Sequence, residues 1–204
     1  MHSCKTSSIR RLKFAPGDVI GFSGWDATGF WINVGTLGIP FWDLSHIGII
    51  GTDGLLYEST TMLKHPCAVL GKFIRGTQAQ CPVSRIQNYN GICWHYKQTT
   101  PLSPMQRIRL GCFLRDNLGK KYDALGAFRS RTLVTGPLLR KLCPHEENLA
   151  TIFCSEYVVG ALEATKMLPE TNCSIWNPNR AARLLRRKRL VRRRRRIRTS
   201  CLYL

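Results

Sequence analysis

Apolar residues along this chain come in short runs, each cut by glycine, proline, asparagine or a charged residue, and that spacing limits its fold more than any other feature. A run of that size fits one strand or one face of a helix, so the runs must be layered against one another to leave water. None reaches the roughly 18 uninterrupted apolar residues of a membrane span. The nearest, Gly29 to Pro40, is broken by Asn33, Thr36, glycines and a proline. With 204 residues, 44% of them apolar, the chain can bury one sizeable core and is too short to favour two.

Asp18-Val-Ile-Gly-Phe, after Pro16-Gly17, reads as a buried strand entered from a turn. Trp25 to Pro40 reads as an aromatic, Gly-rich loop with a short helix over 29–37. His46-Ile-Gly-Ile-Ile gives a second strand, Asp53-Gly54 a two-residue turn, and Leu55 to Ser59 a third strand, so the pair forms an antiparallel hairpin. Further strand-like pieces lie at 68–73 and 92–96. Ser103 and Pro104 supply an N-cap and a first helical residue, with Met105, Ile108, Cys112 and Leu114 as the apolar face and an end near Asn117 to Gly119. A helical turn is expected over 122–128. The clearest helix runs from Phe153 to Met167, closed by Pro169.

The formal net charge of +19 is very uneven. Between Arg180 and Arg198 there are 11 arginines, one lysine and no acid, while the rest of the chain sets 19 bases against 12 acids. The basic character therefore belongs to the end of the chain. After Asn177-Pro178 the pattern allows a basic helix, while twelve like charges in one stretch repel one another and favour disorder until they are neutralised.

Nine cysteines are an odd number, and Cys93 and Cys112 sit among apolar neighbours, which argues against a secreted disulfide framework. Met1 to Leu12 lacks the apolar core of a signal peptide. A cytoplasmic or otherwise reducing compartment is expected.

Thiol catalysis needs a sulfur held as thiolate, an imidazole to shuttle its proton and a polar group to orient the imidazole. Cys154 opens the best-patterned helix, where backbone amides and the helix dipole favour an anion. His46 begins an apolar strand, and Glu58 lies on the next strand of the hairpin. Glu156 follows Cys154 closely, but acids are favoured in the first turn of any helix, so it reads as structural.

The order Pro16-Gly-Asp-Val-Ile, Ser45-His-Ile-Gly-Ile, Leu56-Tyr-Glu58, Gly119-Lys-Lys-Tyr-Asp123 and Phe153-Cys-Ser-Glu-Tyr157 resembles the YiiX-like branch of NlpC-type cysteine hydrolases. The resemblance spans roughly residues 16 to 168. It implies an α+β, circularly permuted papain-like domain in which an antiparallel sheet packs against a nucleophile-bearing helix. It further implies a catalytic set of Cys154 as nucleophile, His46 as base then acid and Glu58 as orienter. Tyr122 and Asp123 match a family motif without an assigned step, and the aromatic segment with Trp42 that precedes His46 reads either as core packing over the sheet, which such residues favour, or as lining of the substrate cleft.

The expected organisation is a hydrolase domain over 14–170 and an Arg-rich basic tail over 177–204. The expected reaction is amide cleavage in a peptide or cell-wall peptide-like substrate through a thioester. Two alternatives stand beside it. The lecithin:retinol acyltransferase group shares the histidine-before-cysteine order and implies lipid ester cleavage or acyl transfer. The other is a polyanion-binding protein on an inactive scaffold, with Arg192, Arg193, Arg194, Arg195 and Arg196 contacting nucleic acid, an anionic membrane or a wall polymer.

No cofactor is called for. The pairs Cys93 and His95, Cys143 and His145, and His65 and Cys67 are spaced too closely for familiar structural zinc knuckles, so no metal is expected.

Overall fold

The computed structural model describes residues 13–24, 43–123, 151–173 and 176–197. The aromatic segment with Trp42, the helix expected over 29–37, the amino-terminal stretch, residues 124–128 and the Cys143 and His145 pair lie outside the described residues.

A mixed α+β organisation is present. An 8-stranded sheet takes the order β7-β6-β4-β3-β2-β1-β5-β8. Its strands are β1 Val19–Gly24, β2 His46–Ile50, β3 Leu56–Thr60, β4 Gly76–Gln80, β5 Gly91–Tyr96, β6 Lys121–Tyr122, β7 Thr151–Ile152 and β8 Arg195–Ile197. All neighbours are antiparallel except β6 and β7. The described helices are α1 Pro82–Gln87, α2 Pro104–Asp116, α3 Cys154–Ala164 and α4 Pro178–Arg187.

Period-two alternation splits the core between the two faces of the sheet. On one face Val19, Ile47, Ile49 and Tyr57 meet Leu110 and Leu114 of α2, Tyr157, Val158 and Ala161 of α3, and Ala181 and Leu185 of α4. On the other, Ile20, Phe22, Ile50, Leu56 and Cys93 meet Ile86 of α1 and Ile197 of β8.

The β2–β3 connection is longer than the two-residue turn expected. Ile50 pairs with Leu56, and the Gly51 amide donates to the Leu55 carbonyl at 2.8 Å, which leaves Thr52, Asp53 and Gly54 as the loop. Gly54 takes φ +80°, the left-handed residue that closes three-residue hairpin loops.

Residues 68–73, expected as a strand, form turns. The strand lies just after them in β4, whose Thr77, Gln78 and Gln80 are polar yet buried. In α2 the Ser103 hydroxyl and Gln106 form a capping box at Pro104. Its buried stripe is Leu110 and Leu114, whereas Met105, Ile108 and Cys112 face outward. The helix turns its apolar pattern only partly toward α3.

In the carboxy-terminal segment the basic helix that the Asn177-Pro178 start allows is formed, and the departure from expectation is the strand that follows it. Residues 178–187 are helical, and Arg195–Ile197 joins the sheet beside β5. The Asn177 side chain accepts the Arg180 amide at 2.9 Å and Pro178 fills the first turn. Arg183, Arg186 and Arg187 point outward while Ala181, Ala182 and Leu185 are buried. Burying Leu185 alone is worth about 1.5–3 kcal/mol, enough to offset repulsion between cations that stay in high-dielectric water. A charge run was read as repulsive overall, and its amphipathic spacing is what lets it fold.

Candidate active site

His46 is the first residue of β2 and sits beside Phe22, with ring centroids 5.5 Å apart. Its Nε2 lies 2.7 Å from Oε2 of Glu58, which is fully buried on β3. The register makes this contact diagonal. Ile50 faces Leu56 and Ile49 faces Tyr57, so Gly48, not His46, stands opposite Glu58. A Cβ on Gly48 would come within 2.9 Å of the Tyr57 carbonyl oxygen and 3.2 Å of the Glu58 Cβ. The missing side chain is the space through which carboxylate and imidazole meet.

Arg85 completes the arrangement and was not singled out from sequence. Its Nε donates to Oε1 of Glu58 at 2.7 Å, with both side chains buried. The guanidinium packs against two touching rings, 4.6 Å from the Phe22 centroid and 5.2 Å from that of Tyr89. A planar cation stacked and bonded in this way is held in one geometry. Arg85 is one arginine among many in the sequence, and only the fold shows that α1 aims it at Glu58.

Cys154, the first residue of α3, is buried. Its helix packs on the face that carries Ile47 and Ile49, whereas His46 and Glu58 belong to the opposite face. The two faces meet at the strand end, where the sulfur and the imidazole are near enough for each to shift the other's protonation. With Nε2 committed to Glu58, Nδ1 is the ring nitrogen left for the sulfur. Glu156 accepts the Phe153 amide at 3.3 Å, so this acid caps the helix.

Charges alternate along the chain of groups. Burial works against the Glu58 carboxylate, but Arg85 and then His46 outweigh it and hold its pKa at about 2. Burial likewise disfavours the imidazolium, yet the Cys154 sulfur and Glu58 raise His46 to about 9. For Cys154, burial is overcome by the charge of His46, its hydrogen bond and the backbone amides of Ile47 and Ser155, and the thiol is lowered from its usual value. The arrangement favours a thiolate–imidazolium pair. Cys93 shows the contrast, since burial pushes it up to about 12 despite the pull of Arg85.

The other residues singled out from sequence fall as follows. Tyr122 pairs with Ile152 in the β6–β7 ladder, and the Asp123 amide donates to the Ile152 carbonyl at 3.4 Å, so both brace the strand that leads into Cys154. Arg194 lies 3.7 Å from Asp43 and over the Trp94 ring at 4.3 Å, while Arg192, Arg193, Arg195 and Arg196 are exposed. Asn179 of α4 accepts the Leu44 amide at 2.7 Å, which ties the carboxy-terminal segment to the approach to His46. Among the described residues no group of His, Cys, Asp and Glu is arranged to hold a metal, and no helix is long and apolar enough to cross a membrane.

No family model and no curated protein match the chain. Among solved structures it is similar to the metalloprotein YiiX from Escherichia coli O157:H7, at 17% identity and a TM-score of 0.49, over 88% of this chain and 87% of that one.

Proposed function

We propose that the chain is a thiol hydrolase of the circularly permuted papain-like type that cleaves amide bonds in peptide-like substrates, cell-wall peptides among them. The observation that carries this reading is the Arg85–Glu58–His46 relay ending at a cysteine with a lowered pKa at the start of a helix. Buried ionisable groups are costly, and three of them lined up toward one sulfur fit a site tuned for chemistry.

In this mechanism the Cys154 thiolate attacks the carbonyl carbon, and the oxyanion is held at the N-terminus of α3, where the Cys154 amide is suited to donate. His46, as imidazolium, protonates the leaving amine, and a thioester remains. The neutral imidazole then takes a proton from water, whose oxygen attacks the thioester. The carboxylic acid leaves and the thiol is restored. Glu58 keeps the ring oriented and stabilises its cation, and Arg85 holds Glu58 in place.

A second reading, ester cleavage or acyl transfer on lipids, uses the same groups. It is favoured by apolar residues exposed on the loop that leaves the sheet at the His46 end, Phe73 at 60% and Leu70 at 40%.

The test is labelling with an activated thioester probe at neutral pH followed by peptide mapping. Cys154 is expected to react in preference to the other cysteines, and His46→Ala to suppress that reaction. Equal labelling of Cys154 and Cys93, or labelling indifferent to His46, rejects the proposal. Peptide amides and acyl esters assayed side by side then separate the two substrate classes.

A further inference from the structure

The loop over 61–75, between β3 and β4, contains no acidic residue and carries Lys64, Lys72 and Arg75. Leu63, Val69, Leu70 and Phe73 within it are 41%, 49%, 40% and 60% exposed. The tip is tied down rather than loose. Cys67 is fully buried, and the Ala68 amide donates to the Ala79 carbonyl of β4 at 2.7 Å. The Gly71 amide closes back on the Cys67 carbonyl at 2.8 Å, and the Cys67 amide donates to Lys72 at 2.9 Å, with Gly71 at φ +65°. A fixed turn therefore leaves about half of the surface of these apolar side chains in water.

The location is specific. β3 leaves the sheet at Thr60, the end at which β2 begins with His46. Met62 accepts from the Gln78 side chain at 3.4 Å, and Lys64 donates to the Asn88 carbonyl at 3.4 Å, just past the helix that carries Arg85. The loop thus rises from the same end as the proposed nucleophile site.

We infer that the 61–75 loop docks this protein on an anionic lipid bilayer, with Val69, Leu70 and Phe73 entering the headgroup–acyl boundary and Lys72 and Arg75 meeting lipid phosphates. Apolar side chains flanked by cations without acids match that interface on both counts. The net charge of +19 adds long-range attraction to any anionic surface. A nucleic-acid backbone would satisfy the cations but would leave the aliphatic side chains in water. Docking uses the tip at 67–73, which folds back along β4 beside Ala79 and so lies away from the Thr60 end. It does not depend on the thiol chemistry.

The full chain is mixed with vesicles of phosphatidylcholine alone or with added phosphatidylserine, and with duplex DNA as a second polyanion. Binding to the phosphatidylserine vesicles is expected, and Leu70→Ser combined with Phe73→Ser should weaken it by at least about tenfold. That double variant should bind DNA as the parent does. Lys72→Ser combined with Arg75→Ser should weaken binding only to the anionic vesicles. Because these residues are exposed, the variants should keep the parent's unfolding midpoint. Phe73→Trp supplies a readout independent of affinity, since the introduced indole should shift its emission to the blue when vesicles are added. Cys154→Ala should dock normally, so failure of the proposed chemistry and failure of docking are read separately. No preference for anionic vesicles, unchanged binding by the serine pair, or an indole that stays in water overturns the inference.

Discussion

The sheet holds two buried carboxylate–histidine pairs of the same length. Glu58 meets His46 and Asp18 meets His95, each Nε2–O distance being 2.7 Å. Their surroundings differ. Asp18 also accepts the backbone amides of Ala15 at 3.0 Å and Gln98 at 2.9 Å, so it clamps the turn before β1 to the end of β5. Glu58 spends its second oxygen on the Arg85 guanidinium, and His46 faces a sulfur. His95 is 5% exposed and His46 15%, so only the second ring lies at a rim. A carboxylate bonded to backbone amides serves the fold, whereas one held by a fixed cation and bonded to an imidazole suits the proton-transfer site proposed above.

That difference breaks most readily by removing each imidazole. His46→Ala is expected to lower hydrolysis on the order of a thousandfold or more, since it removes both base and acid. His95→Ala should instead cost about 1–3 kcal/mol of stability, through a buried carboxylate left short of one partner, and leave turnover of the folded protein unchanged. Denaturant midpoints and kcat measured on the two variants decide it. Equal losses of turnover would make the two pairs one functional unit.

Arg85 sharpens the contrast, because among the described residues no arginine or lysine is ion-paired with Asp18. Arg85→Met leaves Glu58 buried without its guanidinium, and about 3–5 kcal/mol of stability should be lost. With that cation gone the Glu58 pKa climbs from about 2, and the acid limb of the pH–rate profile should move upward. Arg85→Lys should recover part of both effects, since the charge returns without the planar stacking.

The pH dependence follows from the same groups. Glu58 is held below its usual 4.5, so its contribution to stability is present above that value and is lost as pH falls toward about 2. His46 is raised from 6.5 to about 9, so its contribution is complete below 6.5 and is lost as pH rises through about 9. Hydrolysis should decline over that same alkaline range, as the imidazolium gives up the proton needed by the leaving amine. A rate that keeps rising past it would exclude the thiolate–imidazolium pair.

The strands that carry His46 and Glu58 were legible because each is a short apolar run bounded by turn residues, and α3 because its apolar spacing is helical. β4 was not, since Gly76-Thr-Gln-Ala-Gln80 is polar by composition. It is a strand because β3 and β6 pair with it on either side, and that pairing is non-local. Arg85 escaped notice for a related reason, because its partner is 27 positions away and a lone arginine carries no periodic signal. The carboxy-terminal arginines were read by summed charge, but the alternation of Ala181, Ala182 and Leu185 with outward cations decides the fold. Gly48 was quoted within a motif without a physical reason, and the diagonal register supplies one.

Gly48→Ala gives the finest test of the two-pair comparison, because it disturbs only one of them. The added methyl would sit 2.9 Å from Leu56 Cδ1, 2.9 Å from the Tyr57 carbonyl oxygen and 3.2 Å from Glu58 Cβ. Leu56 can yield by changing rotamer, but a backbone oxygen cannot, so β2 and β3 must separate slightly and carry Glu58 away from His46. Overpacking of this kind costs about 1–3 kcal/mol, and misplacing the orienter by a fraction of an ångström should lower turnover about tenfold. The Asp18–His95 clamp lies across β1 and β5 and should be untouched, so hydrogen exchange at the Gln98 amide should match the parent. Full activity in Gly48→Ala would mean that the diagonal contact through Gly48 is not what positions the imidazole, and the distinction between the two pairs would then rest on Arg85 alone.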